Sequence, residues 1–274
     1  MTFDMNRVWE EAVRILKANK ELVLVLAGLF FFLPAFALGI FVPETLTGPD
    51  LTNATEPMEA AAAYYNRNSG WLTLLQVIQF LGMLSILALF ARRRPTVGQA
   101  IATGGIALLP MLVANFFLAL TLGLIGGLLV GLAAAVSAAL SIVMAILILL
   151  LALFVLARLT PLPPLLVAEK RLNPFRALVD SWRMTAGRGW RILGFLALLL
   201  VAYLVVAVLL RGVFGLIGAL IADTEAANLV VSALAAVFSA FWLSLLMAVL
   251  MAIYRQLTAS ASAAGVPRTH SEAD

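Results

Sequence analysis

The chain has 274 residues, of which 64% are hydrophobic and only 12% charged, against about 25% charged in soluble domains. Such a composition leaves no surface for water, so the solvent it demands is a bilayer. The lack of cysteine excludes disulfides, thiolate catalysis and cysteine metal sites, and one histidine, His270 in the polar tail, excludes histidine clusters and triads. The net charge of +4 and pI near 9.8 do not point to nucleic acid, because the basic residues flank apolar runs, as in membrane proteins.

Residues 4–20 read as an amphipathic helix. Met5, Val8, Trp9, Ala12, Val13 and Leu16 take one face, with Arg7, Glu10, Glu11, Arg14 and Lys17 on the other. Asp4 is its N-cap, and such a helix can lie in the headgroup plane. The first apolar run, 21–42, is longer than a signal-peptide core and is closed by no A-x-A site, so it reads as a retained span. Pro34 is expected to kink it. A polar loop, 43–70, follows, with a short helix after Pro57 and a net charge of −3. Its Asn53-Ala54-Thr55 matches a glycosylation sequon. Trp71 opens span two, 71–91, at an interfacial position. Arg92, Arg93 and Arg94 end it.

No charge follows until Arg158, a stretch too long for one crossing. Both basic sites belong on the same side, so the crossings between them are even in number. Span three is placed at 106–125, a tight turn at Gly126 and Gly127, and span four at 134–157. Residues 158–191 form a basic segment holding a second surface helix, with Asn173 as N-cap, Pro174 as its first residue, and Gly187 and Gly189 at its end. Phe175, Leu178, Val179 and Trp182 follow helical spacing within it. Span five is 192–210, and span six is 229–254. The chain therefore divides into an amphipathic helix (1–20), a six-span domain (21–257) and a flexible tail (258–274). The expected fold is all-α, a polytopic helix bundle.

Sixteen of the eighteen basic residues fall at one set of span ends, the exceptions being Arg67 and Arg211. The positive-inside rule then puts both termini in the cytoplasm. A faint threefold pattern accompanies this. Ala12–Val13, Ala100–Ile101 and Ala177–Leu178 each precede a helical hairpin.

Few residues suggest chemistry. The spans hold no Asp, His or Lys, and no Glu beyond Glu21, whereas ion-coupled transporters usually keep ionisable groups there. Gln79 and Asn115 read as interhelical hydrogen-bonding residues. Arg211 reads as an interfacial residue that snorkels to headgroups, with an anion anchor as the sharper alternative. Gly123, Gly127 and Gly131 make two overlapping GxxxG steps. Glu169, Arg176, Asp180 and Arg183 form the densest mixed-charge group, read as a solvated face with local ion pairs. No phosphate loop or nucleotide fingerprint is present.

The segment PLPPLLVAEKRLNPFRALVDSWRMTAGRGWRILGF, with its Glu169, Ala177–Leu178, Ser181, Thr185 and Gly187, resembles a stretch in YciC-like bacterial inner-membrane proteins. The same stretch occurs in the membrane domain attached to some glycerophosphoryl diester phosphodiesterases. The motif covers about thirty residues, and the six-span layout is similar over most of the chain. In the fused relatives, hydrolysis belongs to a soluble barrel with metal-binding carboxylates and histidines. This chain has one histidine, so that activity is not carried over and no cofactor or metal is implied. The resemblance implies a non-catalytic bacterial inner-membrane protein.

The expected partners are therefore membrane lipids, with no nucleic acid. The candidate contacts for anionic headgroups are Arg176, Arg183, Arg188, Arg191, Trp182 and Trp190, assisted by Trp9. The motif candidates are Glu169, Ser181 and Thr185. A carrier of lipid or small solute is the alternative. A phospholipid-headgroup enzyme using Glu169 or Asp180 comes third.

Overall fold

A computed structural model describes residues 3–41, 57–91, 95–169, 172–221 and 223–263. The Asn53 sequon, Arg92 to Arg94 and His270 lie outside the described residues. The elements are α1 (Met5–Ala18), α2 (Lys20–Ala27), a π-helical turn (Gly28–Phe32), α3 (Leu33–Phe41), α4 (Pro57–Ala91) and α5 (Val97–Val136). They continue with α6 (Ala138–Arg158), α7 (Leu162–Ala168), α8 (Pro174–Met184), α9 (Gly189–Ala219) and α10 (Thr224–Ala263). Among the described residues, six helical stretches are long and apolar enough to cross a membrane, and the protein is an all-α bundle.

The spans pack around a ring in chain order. From α4 the contacts run to α5, α6, α9 and α10, and α10 closes the ring against α2, α3 and α4. Between helices in lipid there is little hydrophobic driving force, so close approach depends on small residues. Ala100, Ala107, Ala114, Ala248 and Ala252 are all buried. At Gly104 a Cβ would sit 2.6 Å from the Ser85 hydroxyl and 2.8 Å from the Ser85 backbone nitrogen. Only glycine lets α5 cross α4 there.

Span one is interrupted one residue before Pro34. The amide of Leu33 reaches back five residues to the carbonyl of Gly28, which defines the π-turn. A proline ring clashes with the carbonyl four residues earlier, and the wider turn is the local answer to that clash.

Two expectations are corrected. The turn between spans three and four is not at Gly126 and Gly127. Helix α5 runs straight through them to Val136, and the chain reverses at Ser137, whose extended backbone and side chain cap α6. Glycine is tolerated inside membrane helices because their hydrogen bonds are satisfied internally. Gly123, Gly127 and Gly131 meet no other atoms. The glycine that packs is Gly126, against Ile148. Second, the short helix after Pro57 is not separate but forms the first turns of the 35-residue α4. The amphipathic α1 turns one face to the bundle. Val8, Ala12 and Ile15 are buried, and the helix packs on the last turns of α10.

The basic segment also differs from a uniformly surface-lying strip. Its early part, Leu162 to Val167, is buried in the bundle as α7, against α4, α5 and α10. Pro163 and Pro164 sit in its first turn, where missing amides cost nothing. Ala12, Ala100 and Ala177, the alanines of the threefold pattern, are each buried to within 1% exposure, so each marks a helix-contact point.

Candidate functional site: a clamped basic helix beside an apolar cavity

Helix α8 starts where Asn173 accepts hydrogen bonds from the amides of Phe175 and Arg176, with Pro174 preorganised in the first turn. It ends before Gly187, which adopts φ +71°, a conformation that favours glycine. The small stripe Ala177, Ser181 and Thr185 turns into the bundle and is fully buried, while Phe175, Val179 and Trp182 face outward. The helix thus shows its large apolar residues to its surroundings. Arg176, Arg183 and Arg191 are exposed beside them, and Arg188 is half-buried. Trp190, at the start of α9, is exposed as well.

What holds α8 is Arg158, the last residue of α6. Its main-chain carbonyl is 3.0 Å from the Thr185 hydroxyl and 3.3 Å from that of Ser181. Its Nε donates to Thr185 Oγ1 at 2.8 Å, and its Nη2 donates to the carbonyl of Trp182. The guanidinium lies 4.1 Å from the centre of the Trp182 ring, a cation–π contact. A Cβ on Gly189 would collide with the Arg158 side chain, which ties α9 to the same node. Glu169 accepts a 2.8 Å hydrogen bond from the Tyr254 hydroxyl, joining the end of α7 to α10. Ser181 and Thr185 therefore meet at the Arg158 carbonyl, whereas Glu169 is held apart from them by Tyr254.

A second node lies at the base of α10. Arg255 donates to Glu11 Oε1 at 2.8 Å and to the carbonyl of Phe90 at 2.7 Å. An arginine at the last carbonyls of α4 complements that helix end. Gln256 Nε2 reaches the Asp4 carbonyl at 3.2 Å. Neither Arg158 nor Arg255 stands out in the sequence as more than a marker of a span end. Their partners are 23 to 27 and 165 to 244 residues away, and no local spacing encodes such pairs.

Inside the ring is a cavity of about 360 Å³, bounded by α4, α5, α6, α9 and α10. Leu162 and Pro163 of α7 form its floor, with Leu193, Leu196 and Leu200 on one wall. Asn115 and Thr160 are its only polar side chains. Each bonds within its own local backbone, Asn115 to the Met111 carbonyl at 2.9 Å and Thr160 to that of Ala157 at 2.7 Å. Gln79 is half-buried on α4 and does not line the cavity. Among the described residues, no group of three His, Asp or Glu side chains could hold a metal ion.

A ring of six membrane-length helices, with an outward-facing basic amphipathic helix fastened to it, defines a multi-pass α-helical membrane protein. Comparison with protein-family models, curated proteins and solved structures finds no match.

Proposed function

We propose that this is a non-catalytic bacterial inner-membrane protein that organises or regulates the membrane at its basic face, both termini being cytoplasmic. The observation that carries the reading is the orientation of α8. A helix that buries Ala177 and Ser181 while exposing Phe175, Val179 and Trp182 has its apolar face aimed at something outside the protein. With arginines alongside, that face suits the boundary between acyl chains and anionic headgroups. The sequence resemblance to YciC-like proteins supports the same reading. The motif residues Glu169, Ser181 and Thr185 make structural contacts with Tyr254 and Arg158, which suits a scaffold. Replacing Arg176, Arg183, Arg188 and Arg191 together by glutamine should weaken the preference of reconstituted protein for anionic over zwitterionic lipid. An unchanged preference in a folded variant would remove the basis for the proposal.

A lipid carrier is the second reading, favoured by the apolar lining of the central cavity. A polar solute would find only Asn115 and Thr160 there.

A further inference from the structure

We propose that the central cavity and Arg211 together seat one phospholipid, its phosphate on Arg211 and an acyl chain in the cavity. The lipid would come from the leaflet opposite α8, so this site lies beyond the one proposed for the basic face.

Helix α9 is unbroken from Gly189 to Ala219, which makes its phase reliable. Arg211 follows Leu193 by eighteen residues, five full turns at about 3.6 residues each. It therefore projects from the cavity-lining face of α9. It follows Leu200 by eleven residues, about 16 Å of helix. That is close to half the roughly 30 Å hydrocarbon thickness. A headgroup at Arg211 would place its chain at the level of Leu200.

The cavity opens in the right direction. At its closed end Ala157 is 1% and Leu162 4% exposed, whereas Leu200 is 49% and Leu204, one turn nearer Arg211, is 50% exposed. On α6, the consecutive Leu149, Leu150 and Leu151 are all more than half exposed. Three successive residues cover most of a helix circumference, so protein does not fill the space around α6 at this level. Arg211 is itself exposed and forms no ion pair with a described residue. A cavity of about 360 Å³ is within the usual size range of small-molecule sites. Its lining accepts a hydrocarbon, and the cation about three turns farther along the same face of α9 selects a hydrocarbon bearing a negative charge.

The test uses the full chain in phosphatidylcholine vesicles doped with phosphatidylglycerol carrying a photoreactive diazirine at the acyl terminus. Labelled residues are mapped by mass spectrometry. Label is expected on cavity residues such as Leu118, Leu200 and Leu246. Arg211→Ala should lower that label about fivefold, and Arg211→Lys should keep most of it. Leu200→Trp, or Leu246→Trp should the first variant fail to fold, should abolish it by filling the cavity. A diacylglycerol probe with the same chain should label wild type only as weakly as the phospholipid labels Arg211→Ala. Label confined to the outer faces of α5 and α6 would overturn the proposal. So would equal labelling of wild type and Arg211→Ala, or equal labelling by diacylglycerol. Replacing the four arginines of the basic face should leave this label unchanged, which separates the two sites.

Discussion

The hydroxyl of Thr185 stands 3.0 Å from the main-chain carbonyl of Arg158 and also accepts a hydrogen bond from Arg158 Nε at 2.8 Å. One buried side chain thus meets both a donor and an acceptor of the same residue. Thr185→Val keeps the shape and removes both contacts. It leaves Arg158 Nε without its Thr185 partner while the carbonyl keeps the Ser181 hydroxyl, and the expected loss is about 1 kcal/mol of stability. Thr185→Ser should recover most of it. The measurement is unfolding of the purified protein in detergent, and equal stability of the valine and serine variants would argue against the clamp.

Glycines in α5 should respond in opposite ways. Gly104→Val would push against Ser85, backbone included, and overpacking of this kind costs about 1–3 kcal/mol. Gly123→Ala meets open space and should be neutral or stabilising by a few tenths of a kcal/mol or more, since alanine is the better helix former. Thermal denaturation of both variants in one detergent separates the two sites. A large loss at Gly123 would revive a GxxxG contact there.

Arg255→Met should loosen α1. The substitution removes the hydrogen bonds to Glu11 and the Phe90 carbonyl. The arginine side chain is 43% exposed, so solvent screening limits the loss to about 1 kcal/mol. Local opening of residues 5–18 should then rise about fivefold, read as faster amide exchange in α1. Exchange that accelerates equally across all helices would point to global destabilisation instead.

The basic face should be sensitive to salt. Raising ionic strength from about 0.01 to 1 M shortens the screening length from roughly 30 to 3 Å. The anionic-lipid preference of wild type should fall toward that of the variant lacking Arg176, Arg183, Arg188 and Arg191, which should itself change little. Spin-labelled phosphatidylglycerol and phosphatidylcholine in parallel vesicles report both. A preference that survives high salt would argue against the exposed arginines as its source.

Much of the architecture could be read along the chain. The six spans, the N-caps Asp4 and Asn173 and the amphipathic α1 and α8 follow from local patterns of apolar residues, caps and charges. The α5–α6 turn did not follow, because an all-apolar hairpin in lipid lacks the polar loop that usually marks a reversal, and Ser137 is a faint signal beside two glycines. The inward face of α8 did not follow either. Spacing marked Phe175, Leu178, Val179 and Trp182 as the apolar face of a surface helix but said nothing of Ala177, Ser181 and Thr185, and in a membrane the large apolar face can turn to lipid while alanine and serine turn to protein.

Sequence by itself determined the solvent, the number of membrane-length helices and the clustering of positive charge, because these depend on composition within a window of about twenty residues. Tertiary structure alone decided that Arg158 holds Ser181 and Thr185, that Tyr254 holds Glu169, and that Arg211 shares a helix face with the wall of a cavity. The first two pairings join separate segments through side-chain hydrogen bonds, and the cavity exists only where five helices meet. Neither leaves a trace in the order of residues along the chain.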